Sequence, residues 1–323
     1  MRRLFLSNDL LVAGLLFQTA GKGVLLFDRT DEPAMKLRLS NSKYGFFLNV
    51  PGLLIVLLWV VFPAFLLFCT SFLRYDNVNP ISFYGLGNYK HLWNSRVFWI
   101  SLDKIVVFSL GSTAVTFFGG LILALCLSNV TRGGGILRSL MIIPWAVPAV
   151  ISGLIWKWMF SPDFGVISDL LMKTGLVEKP LSIYGNQTLA MWGVIIADSW
   201  TRIPFMGIIL LAALLSIPER LHEAARVDGA GTLSRFAFVT LPMIKGPLLV
   251  GLLITTIFSF RTIDIIIPLT AGGPGRATYV LGYYIWDQIT KSLNFGAGAA
   301  AGMVLFFVTS AITAIFVYFL RKE

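Results

Sequence analysis

Residues 216–242 read SIPERLHEAARVDGAGTLSRFAFVTLP, a polar island between two long apolar segments. Ser216 and Glu219 stand at capping-box spacing, and Pro218 fits a first helical turn, so the spacing predicts a helix starting at Ser216. Ala224 and Ala225 favour its continuation, while Gly229 and Gly231 end it. Twelve residues at about 1.5 Å each make a rod of roughly 18 Å. Its charges, Glu219, Arg220, Glu223, Arg226 and Asp228, nearly cancel. That balance suits a protein groove better than a lipid surface.

The flanks decide what kind of molecule carries this island. Hydrophobic residues make up 56% of the 323 and charged residues 13%, which excludes an ordinary soluble domain. A hydrocarbon core of about 30 Å asks for about 20 apolar residues per helix. Six such segments are present, at 46–72, 105–128, 137–160, 188–214, 244–268 and 298–320. Basic residues orient them. Segments 1–45, 129–138, 216–246 and 321–323 hold 15 of the 26 Lys and Arg, the opposite loops only 8. By the positive-inside rule, both termini and the polar island are cytoplasmic. The net charge of +10 is then a signature facing anionic lipid headgroups, and no nucleic-acid footprint. Cys69 and Cys126 both fall inside spans, so neither a disulfide nor a compartment follows from them.

Residues 1–45 stand apart from the span-bearing part, 46–323. Their apolar run 4–27 is interrupted by Asp9, Gln18 and Lys22. As a seventh span it would put Arg2 and Arg3 outside, against the charge rule. The run precedes no A-x-A-like cleavage site. A cytoplasmic or interfacial helix is the favoured expectation, with a further span as the alternative.

Inside the membrane the fourth segment carries DSWTRIPF, with Asp198 about ten residues, or roughly 15 Å, from the outer end. Charges at that depth cost on the order of 2.5–3.5 kcal/mol each and usually face a cavity or a partner. Pro204 leaves the carbonyl of Trp200 without its helical donor, which predicts a break in the helix and exposed polar groups. Two readings stay open: Asp198 and Arg202 line a substrate pathway, or they neutralise each other at i,i+4 spacing. The fifth segment repeats the arrangement with Arg261 and Asp264. Most of the tryptophans suit an interfacial belt or packing. Trp200, beside Asp198, is the candidate for stacking on a sugar ring. Pro144 and Pro148 predict a kink in the third segment.

Several chemistries are missing. There is no G-x-x-x-x-G-K-S/T for nucleotide phosphates. His222-Glu223-Ala224-Ala225-Arg226 only imitates H-E-x-x-H, since Arg226 holds the second ligand's place and His91 is the one other histidine. No nucleophile elbow occurs. The chain is expected to be no enzyme.

The polar island resembles the EAA loop of permease subunits in bacterial ABC importers. Glu223-Ala224-Ala225, Gly229, Val239 and Leu241-Pro242 stand at that loop's spacing, with Val239 in place of the usual Ile. The stretch SFRTIDIIIPLTAGGPGRAT is similar to the fifth-span end of carbohydrate-importing permeases, where an acidic residue, here Asp264, precedes an outer loop, here Gly272-Gly273-Pro274. The resemblance covers about residues 46–320 and points to the MalF/UgpA-like class. It implies an all-α integral membrane protein of six transmembrane helices, with the MalF-like fold of type I importers, in the bacterial inner (plasma) membrane. It also implies a coupling role for Glu223, Ala224, Ala225, Arg226, Asp228 and Gly229. The implied partners are a second permease subunit, two ATPase subunits that bind the ATP, and a periplasmic or lipid-anchored solute-binding protein. This chain is expected to carry no cofactor and no metal site. MalG-like subunits end in a further motif, whereas this chain stops at Arg321-Lys322-Glu323, so the MalF-like half of a heterodimer is expected. The implied cargo is a sugar or sugar derivative. Arg202 and Arg261 leave room for an anionic polyol phosphate or a sulfonated or acidic sugar. A secondary transporter without an ATPase is the alternative of another class; it would have no need of a docking loop.

Overall fold

The structure is a computed structural model and describes residues 41–322 apart from 129, 131, 132 and 181. The expectations for residues 1–40 lie outside these described residues. The chain divides after Val56 into two compact units. The described part of the first is the helix α1 (Asn41–Val56), within which the boundary expected at residue 45 falls.

The second unit starts with a π-helical turn, Leu57–Val61, that leads into α2 (Phe62–Ser71). A two-stranded antiparallel ribbon follows, β1 (Leu73–Arg74) with β2 (Ser82–Phe83), then α3 (Gly87–Asn94) and α4 (Arg96–Ser128). In the ribbon's loop the Asp76 carboxylate accepts backbone N–H bonds from Asn79 and Val78, and these hold its pKa below the usual range. Next come α5 (Gly134–Met141), α6 (Ile143–Ala146), α7 (Ala149–Met159) and α8 (Val166–Lys173). The long α9 (Gln187–Leu215) leads to α10 (Glu219–Val227), α11 (Thr232–Arg235), a second π-helical turn at Phe236–Thr240, and α12 (Leu241–Met243). The last elements are α13 (Lys245–Phe260), α14 (Ile266–Leu269), α15 (Leu281–Thr290) and α16 (Phe295–Leu320).

Among the described residues, four helices are long and apolar enough to cross a membrane: Leu48–Ser71, α4, α9 and α16. The third and fifth expected spans are instead bent pairs. Gly134–Ala146 meets Ala149–Met159 at 92°, and Thr232–Met243 meets Lys245–Phe260 at 71°. Proline explains the first bend. Val147, which precedes Pro148, is held extended at φ −74°, ψ 125°, as steric clash with a proline ring requires. At the second, Pro242 has no N–H for the carbonyl four residues back. The helix just before it slips to π register, with the Leu241 N–H on the Phe236 carbonyl.

The break expected at Pro204 does not occur, and α9 runs unbroken from Gln187 to Leu215. Pro204 is buried, and α9 packs along α4 on both sides of it, so the lost hydrogen bond is carried by helix packing. This α4–α9 contact is close because its residues are small. A Cβ on Gly120 would come within 2.8 Å of the Met206 Cβ and 3.0 Å of the Gly207 backbone nitrogen. Asn186 caps α9, its side chain accepting from the N–H groups of Thr188 and Leu189. Two apolar clusters result. The larger joins Phe108, Ile195, Phe260, Leu281 and Tyr284, and the smaller joins Ala124, Met206, Leu210 and Ile244.

Candidate functional site

The polar loop is built around α10. Its start differs from the sequence expectation: no capping box forms, and Pro218 is the N-cap. Ser216 is instead the C-cap of α9, and its Oγ donates to the Ala213 carbonyl at 2.7 Å. The helix therefore has nine residues rather than twelve and spans about 13 Å. Its end matches the expectation. Gly229 sits at φ +78°, with its N–H on the Arg226 carbonyl and the Ala230 N–H on the Ala225 carbonyl. These two bonds form a Schellman motif. A Cβ at Gly229 would meet nothing within 4 Å, so the glycine serves backbone conformation and not close packing. No residue of α10 is buried. Glu223, Ala224, Arg226 and Asp228 are exposed, and three large apolar side chains stand nearly free: Val227 at 88%, Leu233 at 81% and Phe238 at 80% exposure. Isolated apolar residues on a surface are ordinary, but three such exposed side chains within twelve residues of a polar loop are more than its composition leads one to expect.

A second site lies deep among the spans. Asp198, Arg202, Arg261 and Asp264 all line one cleft of about 390 Å³, together with Trp145, Thr201, Phe258 and Thr262. Asp198 is 3% exposed, and both its carboxylate oxygens are occupied. Oδ2 accepts from the Ser112 hydroxyl of α4 at 2.5 Å, and Oδ1 accepts from Arg202 Nη2 at 2.9 Å. The same Nη2 donates to Thr262 Oγ1 and to the Phe258 carbonyl. Asp198 and Arg202 thus tie α9 to α4 and to the end of α13. Arg202 Nη1 is buried without a partner among the described residues.

Arg261 and Asp264 behave differently. The fifth-span helix ends at Phe260, eight residues before the expected 268, and Arg261 is its C-cap. The chain from Arg261 to Ile265 is a turn, so i,i+3 spacing no longer puts the two side chains on one helix face. Both are exposed in the cleft, and no ion pair joins them among the described residues. Trp200 is not a lining residue. Its ring packs against the larger core cluster and meets Trp156 edge to face at 6.0 Å. The aromatic side chains of the cleft are Phe258 and Trp145, the latter 54% exposed and stacked on Phe205 at 6.3 Å.

Ser112, Thr262 and Trp145 were not singled out from the sequence. Ser112 left a faint signal: Ser101, Ser109, Ser112 and Thr116 recur at helical spacing on α4, and all four are fully buried.

The Gly-Gly-Pro loop folds back on α15. Gly272 has φ +81°, and a Cβ there would lie 2.9 Å from the Tyr279 ring, so both backbone and space require glycine. Tyr279 donates to Asp287 at 2.6 Å, and Lys291 pairs with the same carboxylate at 2.9 Å. Burial first, then the bond to Asp287, raises the Tyr279 pKa. The bond to Asp287, then that to Tyr283, raises that of Lys291.

Among the described residues, no three His, Cys, Asp or Glu side chains are grouped to hold a metal ion. Residues 116–322 match the family described as binding-protein-dependent transport system inner membrane component. A trehalose/maltose transport system permease, MalF of Thermococcus litoralis, is 35% identical over 282 residues, which are 87% of this chain and 95% of the relative. A sulfoquinovosyl glycerol transport system permease, SmoG of Agrobacterium fabrum, is 32% identical over 89% of this chain and 93% of its own. The fold is similar to that of a chain in the crystal structure of a bacterial ABC transporter involved in the import of the acidic polysaccharide alginate. The TM-score there is 0.73 at 22% identity, over 87% of this chain and 96% of that one.

Proposed function

This chain belongs to the family of binding-protein-dependent transport system inner membrane components, and from that premise we propose that it forms one wall of the pathway in a sugar importer. It is a multi-pass membrane permease subunit of an ABC importer and not an enzyme. In our reading, each bent pair counts as one span, giving six, with both termini and the α10 loop in the cytoplasm of a bacterial cell. The excess of Lys and Arg on that side supports this orientation. A second permease subunit completes the pathway, two ATPase subunits bind the ATP, and a solute-binding protein delivers the cargo from outside.

The observation that carries this reading is the exposed loop helix. A nine-residue helix with no buried residue, in a loop where Val227, Leu233 and Phe238 are bare, is too short to be stable without a surface to pack on. Docked in a groove of an ATPase subunit, it would pass the closure of that subunit to α9 and α13. Glu223, Ala224, Ala225, Asp228 and Gly229 are the docking residues in this account, while Arg226, expected with them, lies on the side of α10 that faces the ends of the spans.

The cleft around Asp198, Arg202, Arg261 and Asp264 is the proposed cargo pathway. Its two carboxylates and two guanidiniums cancel, and Trp145 offers an exposed ring to the apolar face of a sugar. That combination favours a neutral sugar. A second reading, an anionic sugar derivative, rests on the unpartnered Nη1 of Arg202. Uptake of labelled neutral and anionic sugars into vesicles holding the assembled importer tests both. ATP hydrolysis and the binding protein are expected to be required, and uptake driven by an ion gradient alone would overturn the importer reading.

A further inference from the structure

Between α10 and the ends of the spans the structure holds another hollow, of about 380 Å³. Its walls are of two kinds. Leu125 of α4, Leu215 of α9 and Phe236 line one side, at the level where the apolar helices end. Glu219, His222 and Arg226 line the other, spaced three and four residues apart and so on one face of α10, with Arg235 of α11 beside them. The face that α10 turns toward the rest of the chain is thus polar and stands off from it.

The charges in this hollow do not balance. Glu219 is the one carboxylate on its lining, against the two guanidiniums of Arg226 and Arg235. Neither Arg226 nor Arg235 has an ion pair among the described residues. Arg235 Nε is buried with no acceptor, and its Nη2 has only a long 3.5 Å contact to Thr232 Oγ1. A buried guanidinium N–H without an acceptor is costly and calls for one. Two arginines suit a phosphate, whose oxygens accept paired N–H bonds. A free phosphate would leave the Leu125, Leu215 and Phe236 side unused, whereas a phospholipid uses both sides at the depth where headgroup and acyl chain meet.

We propose that this hollow seats an anionic phospholipid, its phosphate on Arg226 and Arg235 and an acyl chain along Leu125 and Leu215. Basic pockets at the cytoplasmic ends of membrane helices bind lipid headgroups in this way. The lipid fills the space behind α10 and gives the loop helix something to press against.

The test uses the assembled importer in mild detergent, with added phosphatidylglycerol, and counts lipid per complex by native mass spectrometry. Arg235→Gln keeps a hydrogen-bonding side chain and removes the charge; it is expected to cut phosphatidylglycerol retention about fivefold, the worth of one arginine near a membrane surface. Arg220→Gln, on α10 but off the hollow, is expected to retain lipid as the unchanged protein does. Equal loss in both variants, or no loss in either, overturns the proposal. Displacement of the lipid by millimolar inorganic phosphate alone makes this a soluble-anion site and overturns the lipid assignment. Loss of the ATPase subunits from Arg235→Gln, with lipid retention unchanged, assigns the hollow to a protein contact instead. A photoreactive phosphatidylglycerol needs no variant. It is expected to label residues 123–128 or 214–217, and labelling confined to other segments counts against the site.

Discussion

Four charged residues share one cleft, yet they are not equivalent. Both oxygens of Asp198 are bonded within the chain, and Arg202 holds three acceptors from two helices and a turn. Such a pair behaves as a structural joint. Arg202→Ala strands the Asp198 carboxylate, and breaking one side of a buried pair costs about 3–5 kcal/mol. A lowered melting temperature of the purified importer in detergent is the expected result. The double variant Asp198→Asn with Arg202→Gln removes both charges at similar shape, and it is expected to recover most of that stability together with uptake. Lost uptake at recovered stability would instead put Arg202 on the cargo. Arg261 and Asp264 are exposed and unpaired with each other, so Arg261→Gln is expected to change stability by no more than about 0.5 kcal/mol. Its effect is expected in the concentration dependence of uptake. A drop in melting temperature with unchanged uptake would remove Arg261 from the pathway.

The loop helix separates what spacing can reveal from what it cannot. Its end was legible because Gly229 supplies a left-handed residue where the Schellman bonds need one. Its start was not, because Ser216 had two possible uses and the end of α9 took it. A local motif cannot tell which neighbour will use a side chain. Pro144 and Pro148 announced a bend in the third span, but not 92° of it. That angle is set by tertiary contact: α7 lies against Ile265–Pro268, and a Cβ on Gly153 would come within 2.9 Å of the Ile265 carbonyl oxygen. Pro204 announced a break that packing on α4 prevents. Ser112 was hidden for the opposite reason, since its partner lies 86 residues away in the chain. The Gly229 geometry also yields a sharp test. Because a side chain there has free space within the chain, only backbone conformation is at stake inside it. Gly229→Asn is expected to couple ATP hydrolysis to uptake almost normally, since Asn tolerates the left-handed region. Gly229→Val is expected to cost about 1–2 kcal/mol and to lower the uptake achieved per ATP hydrolysed. Equal coupling ratios for the two would mean that the cap does not hold the loop in its working shape.

At the scale of the whole molecule, the two proposed working surfaces both look for something outside the chain. The cleft is walled by the α6–α7 bend, the middle of α9 and the turn after α13, with Trp145, Arg261 and Asp264 exposed in it. The loop helix is bare on its far side. Long apolar faces add to this, since Phe306 and Phe307 on α16 and Leu110, Phe118 and Ile122 on α4 are exposed as well. Lipid can cover apolar faces, but it cannot close a polar pathway, because unpaired charges facing hydrocarbon are expensive. On the proposed reading, a second permease subunit supplies the missing wall. Vesicles holding this chain with the ATPase and the binding protein, but no other permease, are therefore expected to show no ATP-driven uptake, and addition of the second permease is expected to restore it. Full uptake without that subunit would mean that two copies of this chain face each other. Arg261 and Asp264 would then appear twice around one pathway, and a single substitution such as Arg261→Gln would remove two charges from the site at once.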